Sequence, residues 1–280
     1  MHLGQIKCEG AVVAAVFDKE GARPIPEHNM RDLIRRAEVE GVPLSRLASQ
    51  LASRHPEQLP PGLPVTPPEV WGCGCTYESS STFRDAEHGT REGMYAHVYR
   101  EERPEIFFKG TARVCVPTGQ PIGIRADSQF TAPEPELAVV LGSKGSVVGY
   151  TLANDVSAWD IERENALYLP QSKMYDGCCA LGPTMVPVED LADPYALDIT
   201  CTIERAGSTL FEGAVNTSQL HRKIEKLVEY LTRSNHVPIG TVVLTGTGII
   251  VTQECALKPG DVVTIRNREI GELRNSAARV

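Results

Sequence analysis

The sequence predicts an α+β fold rich in strands. A succession of short β-prone runs fills the chain beyond residue 68, only two stretches carry helical spacing, and strands do not alternate regularly with helices. That missing alternation argues against a doubly wound sheet or an α/β barrel.

Taken in order, residues 4–17 cluster β-prone apolar side chains around Val12-Val13 and Val16-Phe17, and Asp18-Lys19-Glu20-Gly21 has turn composition. From Asn29 to Ser53, Leu33, Ala37, Val42, Leu44, Leu47 and Leu51 approximate helical spacing, with Gly41-Val42-Pro43 splitting the stretch into two helices. HPEQLPPGLPVTPPE, residues 55–69, holds six prolines and is the linker candidate. It divides a small N-terminal α/β region, residues 1–67, from a larger region, residues 68–280. The runs VWGCGCTY (70–77), EIFFKG (105–110), ELAVVLG (136–142), SVVGYTLAND (146–155), DITCTIE (198–204), TVVLTGTG (241–248) and DVVTIR (261–266) then read as strands. Between them, Leu220, Ile224, Leu227, Val228 and Leu231 predict one amphipathic helix over Ser218–Ser234.

At 280 residues, 41% hydrophobic and 23% charged, the chain is an ordinary globular protein. A net charge of −8, with no block of Lys or Arg, excludes a phosphate-backbone binder. Apolar stretches such as Gly10–Phe17 fall far short of the roughly 20 residues of a membrane helix. Met1-His2-Leu3-Gly4 lacks the basic and apolar regions of a secretory signal, so a cytoplasmic setting is expected. The eight cysteines (8, 73, 75, 115, 178, 179, 201, 255) form no metal-binding spacing and are expected to be reduced thiols.

The chemistry concentrates in PEPELAVVLG, residues 133–142. Strand alternation places Glu134 and Glu136 on one face with Ala138 and Val140. A second apolar run, GYTLANDVSAWD, ends in another carboxylate, Asp155. Like charges entering an apolar strand need a compensating cation, and three carboxylates without a His or Cys set describe a hard-cation site for Mg²⁺ or Mn²⁺. Taken singly, the glutamates equally describe a solvated edge strand and Asp155 a helix cap. Glycines in Thr245-Gly246-Thr247-Gly248 let backbone N–H groups approach an anion, a substrate carboxylate being the expected guest, although such a motif alone also describes a tight turn.

PEPELAVVLG, GYTLANDVSAWDIE, LPQSKMYDGCCALGP, VVLTGTG and LKPGDVV followed by IGELRN, in that order, resemble the fumarylacetoacetate hydrolase superfamily over roughly residues 68–280. The resemblance implies a mixed β-sandwich-like roll, commonly a homodimer or higher homo-oligomer. It also implies a Mg²⁺ or similar ion on Glu134, Glu136 and Asp155, with Lys173 in the pocket and Lys109 matching a family lysine. The segment ERENALYLPQSK is closely similar to one in members that dehydrate 2-keto-3-deoxy sugar acids. Glu162 and Glu164 are its acid or base candidates and Tyr168 and Gln171 its candidate substrate contacts, equally readable as residues that only order the loop, while Gly246 and Thr247 of the TGTG loop and Lys109 are the remaining substrate-binding candidates. Hydrolytic members carry a histidine a few residues beyond the tyrosine of the region resembling CTYESSSTF, whereas here Tyr77 is followed by Glu78 and serines. His88 and His97 lie further on, in a Gly- and charge-rich stretch with the composition of a lid. The expected activity is a metal-dependent lyase working through a metal-stabilised enolate of a small 2-oxo acid, most simply dehydration of a pentonate. The alternatives are C–C bond hydrolysis of an acylpyruvate, decarboxylation or tautomerisation of a 2-oxo acid, and a non-catalytic oxo-acid binding protein.

Overall fold

Every residue of the strand Pro135–Leu141 is buried, so both faces of this strand must be covered. Its odd positions, Leu137, Val139 and Leu141, pack with Ile199, Ile203, Val263 and Leu273 of a second sheet. Its even positions, Ala138 and Val140, pack with Leu3, Met30, Leu33 and Ile34 of the N-terminal region. The fold is therefore layered about this strand. The computed structural model describes residues 1–8, 10–87 and 93–280.

The central sheet runs in the order Glu105–Gly110, Val70–Gly74, Val242–Leu244, Pro135–Leu141, Val147–Asp155, Cys179–Leu181, Cys115–Val116, with Val186–Pro187 pairing beside Val147–Asp155. The second sheet runs Ser208–Asn216, Asp198–Arg205, Val262–Asn267, Gly271–Arg279, Ile122–Ile124. Two curved sheets face to face with helices at the margins make the strand-rich mixed roll expected from the sequence.

The N-terminal hairpins His2–Cys8, Ala11–Asp18 and Gly21–Ile25 form a separate three-stranded sheet. Leu3 joins it to the larger body through paired backbone bonds with Met185 of 2.9 and 2.6 Å. The helices Met30–Glu40 and Leu44–Leu51 flank the predicted break, and Gly41 caps the first in the left-handed conformation at φ 64°.

The expected helix over Ser218–Ser234 is shorter, running only from Ile224 to Thr232. Ahead of it Thr217–Gln219 forms a separate turn, Lys223 is extended, and the Arg222 guanidinium donates to the carbonyls of Val98, Tyr99, Glu101 and Glu102. TVVLTGTG is strand only over Val242–Leu244, because Gly246 turns the backbone at φ 94°. The strands Ser208–Asn216 and Gly271–Arg279 lack a clear sequence signature, since their solvent faces carry Thr, Glu and Arg and only alternate positions contact the core.

Asp261 ties the second sheet to its turn. Its carboxylate, 2% exposed, accepts from Arg205 Nε at 2.8 Å, from Arg205 Nη2 at 2.7 Å and from the Lys258 N–H at 2.8 Å. Burial pushes this carboxyl up, but the Arg205 and Lys258 hydrogen bonds and the Arg205 charge outweigh it and hold it below the usual carboxylate range. A depressed carboxyl contributes stability above its unfolded value of about 3.9, and that contribution is lost as pH falls through the folded value. Asp261→Asn is therefore expected to cost about 1–3 kcal/mol in urea unfolding at pH 7. The gap to wild type should close as both are acidified below about pH 4; a gap that persisted there would separate the loss from ionisation.

Candidate active site

The hairpin of Pro135–Leu141 and Val147–Asp155 sets Glu136 opposite Ala153, and its open end is tied by Asp155 N–H to Glu134 O at 2.9 Å and Glu134 N–H to Asn154 Oδ1 at 3.0 Å. This register brings one oxygen from each of Glu134, Glu136 and Asp155 within 4.8 Å of one another, all three side chains buried. Glu105–Gly110 adds a third wall, in which Glu105, Phe107 and Lys109 share a strand face. Lys109 Nζ stands 2.5 Å from Asp155 Oδ1 and donates to Val156 O at 3.0 Å. From Leu169–Lys173, a helical turn started by Pro170, Lys173 Nζ reaches Glu134 Oε1 and Oε2 at 3.0 and 2.9 Å, Asp155 Oδ2 at 3.1 Å and Ser157 Oγ at 2.6 Å. Trp159 Nε1 donates to Glu134 Oε1 at 2.9 Å, and the Gly246 N–H to Glu136 Oε2 at 2.5 Å.

The charges do not balance within this cluster. Burial, then the charges of Asp155 and Glu134, push the Glu136 carboxyl well above its ordinary value, against the opposing Gly246 N–H. Burial also works against ionised Asp155, yet Lys109 and Lys173 override it and hold Asp155 below the usual carboxylate range. The same pairing, against burial, keeps both lysines charged. Around them lie Glu105, Glu162 and the buried Arg84, whose Nη1 is 3.9 Å from Glu105 Oε2 and 3.7 Å from Glu162 Oε1. Burial raises the Glu105 carboxyl despite Arg84. Five carboxylates thus face three cations, an excess of two negative charges if all are ionised. An all-oxygen triad with that excess fits a hard divalent cation such as Mg²⁺ or Mn²⁺.

A cavity of about 440 Å³ opens beside the cluster, lined by Met94, Tyr95, Val98, Glu105, Glu162 and Leu169. Among the residues singled out in the sequence, Glu134, Glu136, Asp155, Lys109 and Lys173 come together in the cluster and Glu162 reaches the cavity wall. Lys109 is fully buried behind Asp155, so it meets the carboxylate rather than the cavity. Glu164, Tyr168 and Gln171 sit on the exposed face of their segment. The Gly246 N–H is directed to Glu136, and Thr247 Oγ1 bonds within its own loop to Ile249. His97 is exposed at the cavity rim beside Glu101, and His88 lies outside the described residues.

Sequence reasoning missed Glu105, Arg84, Ser157 and Trp159. Glu105 was legible: it stands four positions before Lys109, on the same strand face. Ser157 and Trp159 follow Asp155 at two-residue steps in GYTLANDVSAWD. Arg84 gave no such signal.

Gly246 is where this geometry is most sensitive. A Cβ there would lie 2.0 Å from Thr76 Oγ1 and 2.8 Å from Cys73 O, on a backbone at φ 94°. Gly246→Ala is expected to move the N–H off Glu136 and weaken Mn²⁺ binding by roughly 10–100-fold with the circular dichroism of the fold retained. Unchanged Mn²⁺ affinity by calorimetry would show that this hydrogen bond does not hold the ligand.

The match to known proteins agrees with this arrangement. The model of the fumarylacetoacetate (FAA) hydrolase C-terminal region matches residues 80–278. A 2-dehydro-3-deoxy-D-arabinonate dehydratase of Saccharolobus solfataricus is 49% identical over 213 residues, 75% of this chain and 72% of that one. A probable 2-keto-3-deoxyxylonate dehydratase of Haloferax volcanii is 43% identical over 260 residues, 89% and 88% of the two chains. The solved structure of 2-keto-3-deoxy-D-arabinonate dehydratase complexed with magnesium and 2,5-dioxopentanoate superposes with a TM-score of 0.85 at 39% identity, covering 100% of this chain and 99% of that one. With the three carboxylates, the two lysines and the two-sheet roll in place, the chain belongs to the fumarylacetoacetate hydrolase family.

Proposed function

We propose that this chain is a Mg²⁺-dependent hydro-lyase that removes water from a 2-keto-3-deoxy pentonate. The observation that carries the reading is the buried triad of Glu134, Glu136 and Asp155 beside Lys173, linked through Arg84 to Glu105 and Glu162, which line a neighbouring cavity. The dehydratase activities of the similar chains, and the 2,5-dioxopentanoate held with magnesium in the solved neighbour, support the substrate class. Glu134, Glu136 and Asp155 would hold the ion, which when bound supplies Lewis acidity to the 2-oxo acid end and makes the C3 proton labile.

The remaining work falls to side chains. Lys173, held charged by Glu134 and Asp155, would neutralise the substrate carboxylate at the ion. Glu162 and Glu105 face the cavity as the proton-transfer pair, one accepting the C3 proton and the other giving a proton to the departing C4 hydroxyl, so that water leaves and no redox partner is needed. Glu105 suits the donor role because burial favours its protonated form. The apolar side chains Met94, Val98 and Leu169 limit water at the cavity wall. Family kinship supports a homodimer, which light scattering reads directly. Among the described residues no helix is long and apolar enough to cross a membrane.

Turnover of 2-keto-3-deoxy pentonates to a semialdehyde, assayed with Mg²⁺, is expected to vanish after chelation, return with Mg²⁺, and be absent in Glu136→Ala. Glu162→Gln is expected to lose roughly 10²–10⁴-fold in kcat. His97→Ala should keep nearly the wild-type rate, since the exposed imidazole has no place in the proton transfers. Full activity in chelated protein rules out the metal-dependent reading, and cleavage of an acylpyruvate that fails in His97→Ala would make the enzyme a C–C hydrolase instead.

A further inference from the structure

We propose that Arg222 is a positioning residue: it fixes the cavity-wall helix Met94–Arg100 relative to the turn at Gly246 and, through Tyr95 and Arg84, steadies the acids Glu105 and Glu162. The roles of those two acids rest on the dehydratase reading; the contacts of Arg222 do not.

The helix Met94–Arg100 has seven residues, and isolated helices shorter than about 12–15 residues are marginal in water. It has no side-chain cap of its own at Gly93. Both of its ends are held from outside. At the first turn the Asp85 carboxylate accepts from the Tyr95 and Ala96 N–H groups at 2.8 Å each. At the last turn, where carbonyls lose their helical partners, Arg222 Nη2 donates to Val98 O at 2.7 Å, to Tyr99 O at 3.2 Å and to Glu101 O, and Nη1 donates to Glu102 O at 3.1 Å. The guanidinium is 7% exposed and meets the negative end of the helix dipole. Beside it the His221 ring stacks on Tyr99 with centroids 4.3 Å apart.

The other side of this clamp rests on the triad. The His221 N–H donates to Thr76 O at 3.0 Å, and Thr76 Oγ1 donates to Thr245 O at 2.7 Å. The next residue, Gly246, donates its N–H to Glu136. His221 and Arg222 therefore span from the turn that holds one carboxylate of the triad to the helix that walls the cavity. That helix contributes Met94, Tyr95 and Val98 to the wall, and the Tyr95 ring centroid lies 5.7 Å from the Arg84 guanidinium carbon. Arg84 Nη1 in turn stands 3.9 Å from Glu105 Oε2 and 3.7 Å from Glu162 Oε1. Release of the helix at Arg222 would displace Tyr95 first and the two acids through Arg84. The strand Pro135–Leu141, buried along its whole length by other contacts, should not follow.

The test combines amide hydrogen exchange on the Mg²⁺-loaded full chain, kcat on a 2-keto-3-deoxy pentonate and Mn²⁺ affinity by calorimetry. Arg222→Met is expected to speed exchange across Met94–Arg100 by about tenfold or more, with Pro135–Leu141 unchanged. It should lower kcat roughly 10–100-fold, the cost of a displacement of about 1 Å, while Mn²⁺ affinity stays within about threefold because the His221 backbone bond to Thr76 remains. Arg222→Lys, a single ammonium in place of a fork, should recover part of both losses. Should Arg222→Met not fold, Tyr99→Leu, which removes only the stack at the same helix end, is expected to give the same pattern at smaller size. Unaltered exchange in the helix, or Mn²⁺ affinity that falls as far as kcat, overturns the proposal. So does a lower melting temperature with kcat unchanged, which would make Arg222 structural only. Exchange and Mn²⁺ binding are read without turnover, so a protein that fails to dehydrate pentonates yet shows faster exchange confined to this helix loses the dehydratase reading and not the clamp.

Discussion

The constraint on which this structure depends is the burial of more negative than positive charge on one face of the central sheet. Taking carboxylates out of water is costly unless each finds a cation or donors, and here Lys109, Lys173 and Arg84 serve five acids. The two carboxyls driven toward their protonated forms, Glu136 and Glu105, equal in number the charge left over. A divalent cation and two protons are thus alternative ways of closing the same account. This is why the lysines lie deep rather than at the surface: each is buried because its partner is, and removing either cation would leave a carboxylate that the surroundings do not solvate.

The layering makes that burial feasible. Glu136, Ala138 and Val140 share the face covered by Leu3, Met30 and Leu33, so the N-terminal region supplies the apolar lid without which the even face of Pro135–Leu141 would be wet. The odd face is occupied by the second sheet, which touches none of the chemistry but fixes the strand's height and twist. Carboxylates enter where the hairpin opens, at Glu134 and Asp155, because there the ladder ends and Asn154 and backbone groups substitute for strand pairing. Glycine at position 74 completes the wall. Any Cβ there would lie 2.1 Å from Glu105 Oε2, so this residue lets a carboxylate cross over the neighbouring strand.

How much of this was legible follows from how local each signal is. Glu134, Glu136 and Asp155 were readable because alternation within one strand and the end of another are properties of short segments, and the two strands that carry them, Pro135–Leu141 and Val147–Asp155, matched their predicted runs closely. Lys173 was readable only through resemblance, since nothing in LPQSK distinguishes a buried lysine from a surface one before a turn. Arg84 was illegible because its importance comes from three acids that lie 21, 50 and 78 positions away in the chain. Tyr168 and Gln171 illustrate the converse: a polar loop between two site residues looks like a binding segment, yet helical turns through Asn165–Lys173 turn these side chains outward while Ser172 and Lys173 turn in.

The departure from the hydrolytic pattern near Tyr77 has a structural meaning. Hydrolytic members place an imidazole on the segment that here begins the helix Glu78–Glu87. In this chain the inward positions are Ser80 and Ser81, both buried and small, with Ser81 Oγ turned back to Glu78 O at 3.1 Å. One turn further on the helix carries Arg84, buried among Glu105, Glu134 and Glu162. A guanidinium cannot take a proton from water, so at this position the helix presents a fixed donor, the proposed proton acceptors being Glu105 and Glu162. A donor poised between two carboxyls suits the departure of a hydroxyl, where an oxygen gains charge and a proton must arrive, better than the attack of one.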